Sequence, residues 1–364
     1  MSKSPKVDVI VDLQFGSTGK GAIAGYLADK NFYDVVISAN MPNAGHTFID
    51  RDGHKMVHKV LPSGVTKSHP VTLLVAPGAV FSIDRLYDEL DSLLDMGYNE
   101  VSVGIHEHAS VLLDGDIASE RSPALGYSNI GSTQQGSAEA MMNKLRRSLH
   151  YKVLATHYKE YIESKDRIKV FSHNKYINTL YQAKSILAEG AQGYSLGLNA
   201  GFWPYCTSRD CTPARVLADM LIPISWVREV IGTCRTYPIR VGGTSGPGYR
   251  DQNELTWDQV GVAPEMTTVT NRERRVFSFS HRQIWEAILI CQPTEIFVNF
   301  CNYMEGKPNE FHKIVDRIDE YARMHTERGY SRYFGWGPTI RDIIDAGPKI
   351  AIELRSPLDN SSIA

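Results

Sequence analysis

The chain has 364 residues, 42% of them hydrophobic and 22% charged, which excludes a disordered or low-complexity protein and leaves room for a large buried core. Its 39 basic and 41 acidic side chains give a formal net charge of −2, so duplex nucleic acid is not an expected partner and any phosphate must be held locally. No stretch approaches the ~20 apolar residues of a membrane span. The Met1 end shows no signal peptide and the cysteines no C-x-x-C spacing, so a cytoplasmic protein with free thiols is expected.

The first predicted element is an apolar strand over Val7, Val9, Ile10 and Val11. Gln14 to Gly21 then packs three glycines and a lysine into eight residues, and Ile23, Leu27 and Ala28 recur at helical spacing. Strand, glycine-rich turn and helix aim backbone N–H groups at a phosphate, with Lys20 as a point charge. The stretch is not a P-loop, because Gln14 stands at the first glycine and Gly21 at the Ser/Thr. The plain alternative is a tight turn with a solvated lysine.

A second strand is predicted at 34–38, running into the loop 40–47, and a third at 71–76. Ser82 caps a predicted helix reaching Leu94, and another strand covers 101–105. Residues 126–136 read as a loop, 137–149 as a helix and 185–189 as a strand. After an aromatic, proline-containing loop at 201–212, residues 228–241 read as extended and 242–250 as a turn region. Helices at 280–291 and 308–328 flank a strand at 294–300. The alternation predicts an α/β protein with a large, mainly parallel sheet, one unit over 1–355 and a flexible tail at 356–364.

In such a sheet ligands bind beyond the carboxyl ends of the strands. The loops 14–21, 40–47, 190–195 and 297–306 are therefore expected to converge, bringing together Lys20, His46, Asn43 and Gln192. That inventory suits phosphoryl transfer, with His46 as acid or donor; a lone histidine would more often be a satisfied loop residue. Arg272, Arg274 and Arg275, beside Thr267, Thr268 and Thr270, offer forks for carboxylates or phosphates, against the alternative of a solvated turn. Two rival readings exist. Gly193-Tyr194-Ser195-Leu196-Gly197 matches the nucleophile elbow of a serine hydrolase, with Ser195 as nucleophile and His281, His312 and His325 downstream. A nucleotide-binding protein without catalysis needs the loops but gives His46 no role.

The loops resemble, in order, those of adenylosuccinate synthetase. Gln14 to Gly21 looks like Q-W-G-D-E-G-K-G, and Asn43 to Thr47 matches N-A-G-H-T. Pro62-Ser63-Gly64, Ile130 to Thr133, Glu189 to Gly193, Pro204 to Ser208 and Val269 to Arg275 follow in the family's order. The resemblance implies a C–N ligase in which a γ-phosphate passes to O6 of a purine monophosphate and L-aspartate then displaces it. It implies donor contacts from Gly16, Ser17, Thr18, Gly19, Lys20, Gly21, Gly45, His46, Thr47, Asn302, Gly337 and Pro338. It implies acceptor contacts from Ser17, Asn43, Ser132, Thr133, Gln192, Thr207 and Arg272, with Arg146 acting across a homodimer. Val241, Thr270, Arg272 and Arg274 would hold aspartate. Ser17, Lys20, His46 and Gln192 would carry the chemistry, and Ser17 and the Gly45 carbonyl would bind Mg2+.

Two departures set the expected substrates. The family's catalytic aspartate is Ser17 here, which removes a carboxylate from the purine's N1–C2 edge and leaves an oxygen able to accept from a 2-amino group. This resembles the viral branch that acts on dGMP; the alternative is an IMP-using enzyme in which Asp12 replaces the carboxylate. The guanine-reading T-K-x-D becomes Asn299-Phe300-Cys301-Asn302. Asn302 presents one acceptor and one NH2 donor, which suits adenine, so ATP or dATP is the expected donor rather than GTP. Trp336 is a candidate surface for stacking on the donor base.

Overall fold

The computed structural model describes residues 4–267, 272–326 and 329–347. Its centre is a ten-stranded sheet with the order Ile343–Asp345, Tyr330–Gly335, Glu295–Asn299, Val227–Arg235, Lys6–Asp12, Ser185–Glu189, Val35–Ser38, Val71–Val75, Val101–His106, Ile168–Phe171. Every neighbouring pair runs parallel except Tyr330–Gly335 with Ile343–Asp345 at one edge. The expected α/β architecture with a mainly parallel sheet is the one observed. The expected tail at 356–364 lies outside the described residues. No helix among them is long and apolar enough to cross a membrane.

The apolar run of the first strand follows from its place in the sheet. Val7, Val9 and Val11 enter one core layer and Ile10 the other, and Asp8 and Asp12 on Ile10's face are buried too, so neither face of the strand meets solvent. Helices cover the two faces with one apolar stripe each. Ile83–Asp95 buries Leu86, Leu90 and Leu93, and the Ser82 hydroxyl caps it by accepting from the Arg85 amide. Pro308–His325 buries Phe311, Ile314, Val315, Ile318 and Ala322, the i, i+3, i+4, i+7 pattern of a single packed face.

The central strand Lys6–Asp12 is also where the strand order turns. The chain first builds outward to Ile168–Phe171, returns to place Ser185–Glu189 on one side of it, then puts Val227–Arg235 on the other. A ligand crevice forms at the carboxyl ends beside such a switch point.

Several boundaries differ from expectation; the helix predicted over 308–328, for one, ends at His325. The loop 40–47 runs straight into a hairpin, His46–Ile49 with Lys55–His58, in which His46 pairs with His58. Its four-residue strands are too short to show alternation. The helix predicted over 137–149 stops at Leu145. Leu145 and Leu149 are 68% and 100% exposed, so a longer helix would bury nothing more.

The helix Lys20–Lys30 lies close against the hairpin because Gly25 carries no side chain. A Cβ there would sit 2.2 Å from the Phe48 ring. Gly25→Val is therefore expected to cost about 1–3 kcal/mol through overpacking. A lower urea midpoint at unchanged m-value would show it, and an unchanged midpoint would mean that the hairpin yields freely.

Candidate active site

Residues 13–19 leave the central strand and enter the helix Lys20–Lys30 through three left-handed positions, Gly16 at φ 88°, Ser17 at φ 57° and Gly19 at φ 93°. Asp12, 1% exposed, organises this turn. One carboxylate oxygen accepts from the amides of Gln14 (2.8 Å) and Gly16 (3.2 Å). The other accepts from the Thr18 hydroxyl (2.5 Å) and the Lys20 ammonium (3.1 Å). Lys20 also donates to the Gln192 carbonyl at 2.8 Å, which ties this loop to the one after Ser185–Glu189. Both Asp12 oxygens are thus committed inside the loop, and Asp12 is not among the residues that line the cavity. The reading in which Asp12 replaces the missing catalytic carboxylate is thereby corrected.

His46 opens the hairpin, and its Nδ1 lies 3.5 Å from the buried Glu189 Oε1. Burial alone would raise the Glu189 carboxyl, but the His46 ring and the Ser63 amide outweigh it and hold it below the ordinary carboxylate value. Glu189 therefore stays ionised and can orient the imidazole or stabilise imidazolium. His58 sits behind the pair, fully enclosed, and burial pushes its imidazole down to about 4, so it is neutral. Sequence reasoning singled out His46 but gave Glu189 and His58 no function, because neither lies in a loop.

These elements meet in a cavity of about 780 Å3. It is lined by Gly16, Ser17, Thr18, Gly19, Lys20, Gly21, Asn43, Gly45, His46, Thr47, Ser132, Thr133, Gln192, Thr207, Val241, Arg274, Asn302, Gly337 and Pro338, all expected from sequence. Gln192 is held left-handed at φ 62°, and Asn43 donates to the Thr207 hydroxyl at 3.2 Å. Arg272 is exposed and outside the lining. Arg146 is outside it too, donating to Asn143 at 2.6 Å. Thr268 and Thr270 lie outside the described residues.

Two expectations fail here. The Ser195 hydroxyl is fully buried and engaged by Tyr249 (3.1 Å) and Gln283 (2.9 Å), with no histidine hydrogen-bonded to it among the described residues, so it is no nucleophile. The Trp336 ring packs on Phe311 at 5.6 Å rather than lining the cavity, which leaves Phe300, Tyr303 and Pro338 as the surfaces there.

The donor set fits magnesium in one mode. Ser17 and the Gly45 carbonyl are neutral oxygens, and the Glu120 carboxylate in the lining is already bonded to the Gly136 and Ala138 amides. Mg2+ prefers water and phosphate oxygens with few protein ligands, so these two residues would hold it alongside a triphosphate.

Glu189→Gln keeps the shape but removes the charge facing His46. It is expected to lower kcat about 10- to 100-fold with KM values nearly unchanged. Steady-state kinetics checks this, and an unchanged kcat would remove the pair from the chemistry.

The sequence model of the adenylosuccinate synthetase family matches residues 9–177 and 149–309. An N6-succino-2-amino-2'-deoxyadenylate synthase of Vibrio phage phiVC8 is 48% identical over 338 residues, 93% of this chain and 97% of its own length. The adenylosuccinate synthetase of Cytophaga hutchinsonii is 30% identical over 310 residues, 74% of this chain and 70% of its own. Among solved structures, the succinoaminodeoxyadenylate synthetase of cyanophage S-2L, bound to dGMP and to dATP as an energy donor, superposes with a TM-score of 0.83 at 35% identity, covering 94% of this chain and 96% of that one. The cavity at the sheet's switch point, the loop built on Asp12 and these matches together place the chain in the adenylosuccinate synthetase family.

Proposed function

We propose that this enzyme joins L-aspartate to C6 of dGMP with ATP or dATP as phosphoryl donor, giving N6-succino-2-amino-2'-deoxyadenylate. One observation carries the choice of dGMP over IMP. Ser17 lines the cavity where the family has its catalytic aspartate, and the nearby Asp12 is wholly used in holding the loop. The purine edge therefore meets a hydroxyl that accepts from a 2-amino group, with no carboxylate behind it. The phage relatives at 35–48% identity support the same substrate.

The reaction has two steps. The γ-phosphorus gains a bond to O6 and loses its bond to the β,γ-bridging oxygen, releasing the nucleoside diphosphate, while the purine N1–H gives its proton to water. The aspartate amine then bonds C6 while the C6–O6 bond breaks and inorganic phosphate leaves. Lys20 and the amides of Ser17 and Gly19 bind the transferring phosphoryl group, where positioning and charge stabilisation dominate. His46, oriented by Glu189, donates toward the bridging or O6 oxygen. Gln192, with its backbone fixed by Lys20, reads the base edge. Ser132, Thr133, Asn43 and Thr207 hold the acceptor's phosphate and sugar. Magnesium, when bound at Ser17 and Gly45, would neutralise donor phosphate charge.

Arg274 lines the cavity and Thr270 and Arg272 belong to the same stretch, which we assign to aspartate. Arg146 follows Leu145 at the end of its helix, near the exposed Leu149 and Tyr151. We assign that face to a homodimer in which Arg146 reaches the partner's acceptor nucleotide. The enzyme would act in the cytoplasm.

The decisive experiment is a coupled phosphate-release assay with Mg2+, ATP and L-aspartate, comparing dGMP with IMP. Turnover with dGMP is expected, and turnover with IMP alone would overturn the reading. Ser17 already sits at a φ that aspartate tolerates, so Ser17→Asp tests chemistry rather than strain. It should lower kcat/KM for dGMP about 10- to 100-fold and raise that for IMP.

Asn302→Asp replaces the NH2 donor facing the donor base. It is expected to cost about tenfold in kcat/KM with ATP and dATP and to improve GTP. Equal use of GTP and ATP by the wild type would refute the assignment of Asn302.

A further inference from the structure

Arg235, at the end of Val227–Arg235, is the largest fully buried side chain among the described residues. Its guanidinium donates to the Ser17 carbonyl at 3.2 Å and, through both terminal nitrogens, to the Glu265 carboxylate. The same guanidinium lies 3.8 Å from the centre of the Phe300 ring. Tyr303, from the same turn as Phe300, donates to Glu265 at 3.0 Å. On the main-chain side, the Gln14 amide clasps Arg235 at both its N–H (2.9 Å) and its carbonyl (3.1 Å).

The position of Glu265 makes this more than local packing. Its carbonyl accepts from the Arg274 amide at 2.9 Å, so Glu265 and Arg274 form the stem from which the stretch assigned to aspartate emerges. One buried fork therefore touches the phosphate loop, the stem of the aspartate loop and the turn lining the donor side. An Arg–carboxylate fork fixes both groups in one plane, which a lysine cannot do. Burial with two hydrogen bonds and a ring contact makes the bridge costly to break, and breaking it would strand a charge.

We infer that Arg235 is a positioning residue that sets the left-handed Ser17 and the aspartate-loop stem in one fixed register, through its bridge to Glu265. The inference rests on the ligase reading above and extends it. Arg235 touches no substrate. It acts by coupling the site of phosphoryl transfer to the site that delivers the amine, so that the amine meets C6 of the phosphorylated purine at the correct angle. A small error in that geometry costs rate in the second step far more than it costs nucleotide binding.

The test is kinetic. Glu265→Gln keeps size and leaves Arg235 in place, and Arg235→Lys keeps the charge but loses the fork. Both are compared with the wild type by phosphate release, with the KM for L-aspartate and for dGMP measured separately and folding followed by thermal melting. The expected result is a KM for aspartate raised by more than about fivefold relative to that for dGMP in at least one variant that melts cooperatively, with the double variant no worse than the weaker single. Parallel changes in both KM values, a selective change below that size or additive losses would overturn the inference. Wild-type turnover separates the two claims. With IMP alone as substrate the dGMP reading fails, and the bridge is measured with IMP against the same threshold. With no purine monophosphate turned over, the ligase reading falls and takes this inference with it.

Discussion

The Asp12 carboxylate is the constraint on which the site depends. A loop with three left-handed positions has no ladder of its own, and its amides would otherwise look for water. Asp12 satisfies two of them, holds the Thr18 hydroxyl and pins Lys20. Lys20 in turn reaches the carbonyl of Gln192 across the sheet's switch point. One buried ion pair thus fixes the loop 13–19 and the loop that follows Ser185–Glu189 against each other. Removing either partner would leave a charge in the core, so the pair resists substitution for a structural reason as well as a chemical one.

The same arrangement recurs around the cavity. Asp12 stands behind Lys20, Glu189 behind His46 and Glu265 behind Arg235. Each carboxylate is withdrawn one layer from the ligand and spends its charge on orienting a cationic or ionisable group. Of the groups so oriented Lys20 and His46 reach the cavity face, beside glycine backbone, hydroxyls, amides and aromatic rings, while Arg235 stays behind it. That is a surface suited to anionic phosphates and to a purine edge carrying an extra amino group.

Much of this was legible in the residues. The apolar run from Val7 to Val11, the glycines around Lys20 and the strand-loop order led to the sheet and to the convergence of the loops. Local chemistry gives such signals directly, because glycine spacing and apolar runs are properties of neighbours. What escaped was tertiary. Glu189 reads as the last residue of a strand, and only the fold brings it to His46. Arg235 and Glu265 are 30 residues apart and belong to no loop motif. Asp12 looked free to serve as a base because a strand's sequence does not say which way its last side chain turns. Trp336 looked like a stacking surface because Gly335-Trp336-Gly337-Pro338 resembles the family's second donor-base loop, whereas Phe311 claims the ring.

The central position of the strand Lys6–Asp12 has a consequence for how the molecule is made. That strand is synthesised well before its two neighbours in the sheet, Ser185–Glu189 and Val227–Arg235. Until both have been synthesised, Val7 to Val11 present an apolar strand with two unpaired edges. The loop 13–19 lacks its anchors for the same interval, since Gln192 and Arg235 also come late. Long-range parallel pairing of this kind is slow and exposed to aggregation. The nascent chain therefore carries this central strand unpaired until Val227–Arg235 has been made, and its yield in the cell should be governed by elongation rate and chaperone supply more than by the stability of the finished fold.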